Sequence, residues 1–189
     1  MHYNKFFLIP ILQRKMNTIY LKIFLTLIFI LGRIKELIIT AGGENIAPIP
    51  IENAIKEILP CVSNVVVIGD KRKFISCFLT FKVILDQDNE QMPTDRLAPS
   101  AIAWCKSVGS TATKVSEVIL DPDEKVMKAI EDGLARANKK AISKAAFVQK
   151  WMILPVDLSI PTGELGPTLK LKRFEFYKKY KDAIAKLYQ

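Results

Sequence analysis

Apolar residues recur along this chain in two spacings, and the change between them sorts it into elements. RIKELIITAGGEN reads as a short strand ending in a Gly-Gly turn, where glycine permits a positive φ. PIPIENAIKEILP places Ile51, Ile55, Ile58 and Leu59 at helical spacing, with Pro50 near the start and Pro60 as the stop. NVVVIGDKRKFISCFLTF holds two β-branched or aromatic runs about a Gly-Asp-Lys-Arg turn, which predicts a hairpin. Residues 87–99, QDNEQMPTDRLAP, are polar with two prolines and predict a surface excursion. A helix or two is expected over residues 100–119.

The clearest helix opens at DPDE, with Asp121 as cap, Pro122 in the first position and Glu124 three residues after the cap. Val126, Ile130, Leu134, Ala137 and Ala141 continue one apolar face behind it. Residues 147–154 read as a strand. A last helix over residues 172–188 puts Phe174, Tyr177, Tyr180, Ile184 and Leu187 on one stripe, with lysines opposite. No repeat or low-complexity run is present. From Gly32 onward the pattern is that of an α/β (α+β) module, a small mixed sheet with a hairpin, flanked by helices.

Residues 1–31 break this pattern and form a separate segment. NTIYLKIFLTLIFIL, residues 17–31, is almost wholly apolar apart from Lys22, but is shorter than the ~20 residues that usually span a bilayer. Extended upstream to Phe6 it would make a signal-anchor helix with a basic flank, an arrangement interrupted by Pro10 and the polar run 13–17. No small-residue cleavage site follows. A membrane anchor, a buried strand and a non-native extension arising from a gene-model artefact all compete for it.

Charge changes the picture little. The formal net charge is +9, concentrated at the ends: four basic residues and no acid in 1–31, and seven against Glu175 and Asp182 in 170–189. The stretch between is balanced. A neutral body argues against an extended phosphate-binding face, so nucleic acid is not expected as a partner. Cys61, Cys77 and Cys105 lie far apart without a CxxC spacing, and His2 is the single histidine, so no zinc site is expected. Buried, reduced thiols of a cytosolic chain are the simple reading.

Two stretches carry a more specific signal. GRIKELIITAGGENIAPIPIE, residues 32–52, resembles the hinge motif that opens the C-terminal domain of acyl-adenylate-forming enzymes, and PTGELGPTLKLKR resembles the closing lysine motif of the same superfamily. DRLAPSAIAWCKSVGS and RANKKAIS between them resemble the insertion specific to bubblegum-type long-chain acyl-CoA synthetases. The resemblance covers residues 32–189, and two ordered motifs at the right ends are more specific than one short pattern.

The resemblance implies a fatty acid–CoA ligase that makes an acyl adenylate from fatty acid and ATP. Its C-terminal domain then swings so that a different face assists attack by coenzyme A. It implies that Lys170 is the catalytic lysine, neutralising charge that develops at the α-phosphate and carboxylate, and that Arg33 contacts the nucleotide ribose. It makes Lys35 the hinge residue, and Gly42, Gly43 and Glu44 the turn lining the pantetheine tunnel. ATP and Mg2+, with coenzyme A as co-substrate, would be bound mainly by an N-terminal domain that these residues do not resemble. The 189 residues are therefore expected to be inactive by themselves, and to belong in the cytoplasm or on the cytosolic face of a membrane. The alternative is a non-catalytic, membrane-anchored binding module using residues 1–31 as anchor and the basic tail on anionic lipid.

Overall fold

The structure is a computed structural model that describes residues 37–120 and 122–189. The expected hairpin is its centre. Strands β3 (Val62–Ile68) and β4 (Ile75–Phe81) pair antiparallel, with Val67 opposite Cys77 and Ile68 opposite Ser76. Strand β7 (Val148–Ile153) lies parallel to β4 on its other side, so the sheet order is β3-β4-β7 and the sheet is mixed. A parallel neighbour requires a long crossover. The chain between β4 and β7 supplies it and includes the long helix α4 (Glu124–Asn138).

Every residue of β4 is buried, which explains why ISCFLTF reads as a continuous rather than an alternating run. Alternate positions enter two cores. Val65, Val67, Cys77 and Leu79 face one that contains Ile55 and Leu59 of helix α1 (Pro48–Ile58) and Val126, Ile130 and Leu134 of α4. Val66, Ile68 and Phe78 face the other, with Leu154, Leu158, Leu165, Phe176, Ile184 and Leu187. The helices α1 and α4 approach closely at Gly133, where a Cβ would lie 2.5 Å from Leu59 Cδ2. A glycine interior to a helix costs about 1 kcal/mol relative to alanine, and here it permits the crossing.

Strand β1 (Ile38–Ile39) is the expected short strand before the Gly-Gly turn, and it pairs with a strand that was not expected beyond the turn, β2 (Asn45–Ile46). Helix α2 (Pro99–Ser107) and helix α3 (Val115–Ile119) fill the expected 100–119 region. Three expectations are corrected. Residues 87–99 are not wholly an excursion: β5 (Val83–Asp86) pairs with β6 (Met92–Leu97), leaving only the turn between them irregular. Pro93 is tolerated because this is an isolated two-stranded ribbon, with each strand an edge.

The cap of α4 is Asp123, whose Oδ1 accepts from the Lys125 and Val126 amides at 3.0 and 3.2 Å. Asp121 lies outside the described residues, and Pro122 precedes the helix instead of starting it. The carboxylate of Asp123 reaches the open amides of the first turn, and the two acids are alike in type, so composition alone did not distinguish them.

The last helix is two helices, α5 (Arg173–Lys179) and α6 (Lys181–Leu187), separated at Tyr180 with φ −103° and ψ 23°. Backbone bonds still cross the joint, from Tyr180 to Phe176 O at 3.0 Å and from Ile184 to Tyr180 O at 2.8 Å. Phe174 is 78% exposed, whereas Phe176 is fully buried. The buried row runs at i, i+4 through Phe176, Tyr180 and Ile184, because Phe176 stacks between Phe78 and Tyr180 with ring centroids 5.6 and 4.6 Å away.

Candidate functional site

The Gly-Gly turn is built by Thr40. Its carbonyl accepts from the Gly43 amide at 2.9 Å, its amide donates to Glu44 O at 3.1 Å, and its hydroxyl accepts from the Glu44 amide at 3.2 Å. Gly43 holds φ +80°, a conformation favouring glycine. Among the described residues, a Cβ there would meet nothing within 4 Å, and at Gly42 only Thr40 Oγ1 at 3.8 Å, so the described residues leave the space beside the turn open. The strand before it is fastened to the tip of the β3–β4 hairpin. Ala41 donates to Arg72 O at 2.9 Å, Lys71 donates to Ile39 O at 2.7 Å, and the Ile39 amide donates to Asp70 Oδ1 at 3.2 Å. Arg33 and Lys35 lie outside the described residues.

At the other end of the chain, residues 154–172 lead from β7 to α5. Asp157 anchors their start: its Oδ1 accepts from Thr80 Oγ1 at 2.5 Å, Asn64 Nδ2 at 2.9 Å and the Leu158 amide at 2.8 Å. A small hairpin follows. Leu165 and Leu171 face each other in an antiparallel bridge, the Gly166 amide donates to Lys170 O at 2.8 Å, and Leu169 donates to Gly166 O at 2.8 Å. Pro167 sits in the turn and presets its φ. Leu169 takes φ +58°, a left-handed conformation that costs a non-glycine residue roughly 1–2 kcal/mol. Lys170 comes next and is exposed. It has no ion pair among the described residues.

Glu164, just before this hairpin, is 1% exposed. Its Oε1 accepts from Lys179 Nζ at 2.5 Å and Tyr180 OH at 3.0 Å. Burial alone would raise its pKa, but the hydrogen bonds it accepts, led by that from Lys179, outweigh that and hold it below the ordinary glutamate value. Tyr180, buried beside that carboxylate, is pushed well above the ordinary tyrosine range. Thr162, Gly163, Glu164, Glu175, Lys178 and Lys179 line an open cleft of about 330 Å³. Among the described residues no group of His, Cys, Asp and Glu could hold a metal ion. The three cysteines are free and buried, with thiol pKa values raised chiefly by burial, that of Cys105 to about 11.

The side chains that tie these pieces together are ones the sequence patterns did not single out. Arg173 Nη2 meets Glu52 Oε1 at 2.7 Å, and Arg173 Nη1 donates to Val67 O at 3.3 Å. Glu52 stands 121 positions earlier, in the opening motif. Both residues belong to the motifs already quoted, which is the only signal that could have marked them.

A small mixed sheet between helices has counterparts among solved structures. The adenylation domain of a carboxylate reductase from Mycobacterium chelonae superposes with a TM-score of 0.58 at 21% identity, over 84% of this chain and 20% of that one. The corresponding domain from Segniliparus rugosus, solved with AMP and a carboxylic acid, gives 0.57 at 20% identity, over 84% and 20%. These likenesses show the fold. Residues 35–120 match the family described as the AMP-binding enzyme C-terminal domain, and by fold and sequence the chain carries a domain of that class.

Within that class it corresponds to the C-terminal part of the bubblegum-type long-chain-fatty-acid–CoA ligases, as the stretches between the two motifs implied. It is 53% identical to the Bos taurus long-chain-fatty-acid–CoA ligase ACSBG1 over 162 residues, 86% of this chain and 22% of the relative. It is 50% identical to ACSBG2 of Gallus gallus over 161 residues, 85% and 21% of the two chains. The chain thus spans about a fifth of the length of the curated relatives it matches.

Proposed function

We propose that this chain supplies the C-terminal, lysine-bearing part of an ATP-dependent, AMP-forming long-chain fatty acid–CoA ligase. What supports the reading most directly is the presentation of Lys170: an exposed ammonium beside a left-handed Leu169, on a turn closed by two backbone hydrogen bonds. In the complete ligase Lys170 would neutralise charge developing between the α-phosphate and the fatty-acid carboxylate. Stabilisation of this kind, by a preorganised donor, contributes several kcal/mol. Arg33 would contact the ribose, and Lys35 would be the hinge about which the domain turns. The turn of Gly42, Gly43 and Glu44 would then border the path of the pantetheine arm; its open side leaves room for one.

ATP, Mg2+, the fatty acid and coenzyme A would be held mainly by the larger N-terminal part of such a ligase, with ATP supplying the adenylyl group as pyrophosphate leaves and Mg2+ offsetting the phosphate charge. The site would be cytosolic, free or peripheral to a membrane. Among the described residues no helix is long and apolar enough to cross a membrane, and the candidate anchor in residues 1–31 lies outside them.

The test compares two proteins. The 189-residue chain alone is expected to form no thioester from fatty acid, ATP and coenzyme A. The same residues from Gly32 onward, joined behind the N-terminal part of the bovine relative, are expected to restore turnover on the order of one per second. Turnover by the chain alone, or a folded chimera that is inert, would reject the proposal.

A further inference from the structure

Arg173 lies three residues beyond Lys170, and its guanidinium is held at two points. One nitrogen is 2.7 Å from Glu52 Oε1 on α1, and another donates to Val67 O on β3 at 3.3 Å. Glu52 Oε1 also accepts the Val67 amide at 2.9 Å, so the three groups close a ring. Side-chain exposure is 19% for Arg173 and 12% for Glu52, low enough for the pair to escape most solvent screening. Lys172, between Lys170 and Arg173, has its amide tied to Glu164 O at 2.7 Å. The Lys170 turn is therefore gripped on its entry side by the Gly166–Lys170 closure and on its exit side by this fork.

We propose that the Glu52–Arg173 pair is a positioning device that holds the Lys170 hairpin in register against the sheet, linking the opening motif to the closing one. Neither residue is needed to form the two apolar cores, which lie on the faces of β3 and β4 and contain neither of them. A buried ion pair is weak evidence of net stabilisation, because the cost of removing both charges from water offsets much of their attraction. The planar fork of arginine suits two acceptors at once, a task that the point charge of lysine does not perform. That the hairpin delivers a reacting group rests on the reading of Lys170 given above; that the pair holds the hairpin does not.

The test is amide hydrogen exchange on the full chain and its Arg173→Ala, Arg173→Lys and Glu52→Gln variants. In Arg173→Ala, exchange at Gly166, Leu169 and Lys172 should quicken on the order of tenfold or more, as expected on losing a charge-assisted bond, while Ile130 and Leu134 in α4 stay unchanged. Arg173→Lys should restore only part of the protection. Unaltered exchange at Gly166 and Leu169 overturns the proposal, and so does equal acceleration throughout α4, which would mark the pair as a general stabiliser. If Arg173→Ala does not fold, Glu52→Gln, which keeps an acceptor for Val67, carries the same comparison and the same two overturning results. In the ligase chimera, Arg173→Ala should lower kcat for adenylation with KM for fatty acid unchanged. Failure of the Lys170 reading would remove that kinetic effect and leave the exchange result standing.

Discussion

Glu164 shows how much of the lysine-bearing end depends on single buried groups. Its carboxylate is almost enclosed; one oxygen is bonded to Lys179 and Tyr180, and the other has no partner among the described residues. Because its pKa is lowered by folding from the ordinary 4.5, the charged form contributes stability above that value, and the contribution is lost as pH falls through the lowered one. Glu164→Gln should cost about 1–2 kcal/mol at neutral pH, discounted because Lys179 is half-exposed, and the gap to the unaltered chain should shrink on acidification. Urea unfolding at neutral and acid pH measures this; a constant gap would mean that the charge is not what matters. At this scale the motif that carries Lys170, whose role is the proposal made above, was recognisable because it is local and ordered. The Glu52–Arg173 pair was not, because two residues 121 positions apart announce nothing until the chain folds between them.

Among the elements, the hairpin, α1 and β7 were legible from turn residues and β-branched runs, since their signals lie within a few neighbouring positions. The final helix was harder. Tyr177, Tyr180, Ile184 and Leu187 of the expected stripe do pack on the second core, but Phe174 does not, and Phe176 fills that place against Phe78. Phe176→Ala should therefore destabilise by about 3–5 kcal/mol, and Phe174→Ala by no more than about 0.5. Thermal or denaturant unfolding of the two variants settles the order, and a larger loss for Phe174 would restore the stripe expected from spacing alone. The ribbon of β5 and β6 was missed for a related reason: polar residues and prolines suit an edge ribbon as well as a loop, and Arg96 bridging to Lys114 depends on a partner far along the chain.

Over the whole molecule, the mixed α/β class was legible but the division into two cores was not, because VVVI and ISCFLTF give no sign of which face each side chain takes until β7 and the helices cover both. Among the described residues, both cores are built from elements between Ile38 and Leu187. A chain beginning at Gly32 should accordingly unfold cooperatively at the same midpoint as the full chain, within about 2 °C, as expected when no contact of consequence is lost. A chain so shortened that is unfolded in solution would move the boundary upstream.

The claim on which the rest turns is that this folded body exists to present Lys170 to a nucleotide in one of two domain orientations. In the chimera with the N-terminal part of the bovine relative, Lys170→Ala is measured by pyrophosphate exchange for adenylation and by thioester formation from preformed acyl adenylate for the second step. Loss of one charge-stabilising donor should lower the first rate by ~10²-fold or more and leave the second nearly intact, while Lys172→Ala, two residues on and exposed, costs little in either. Equal losses in both steps for Lys170→Ala, or a greater loss for Lys172→Ala, would contradict the account.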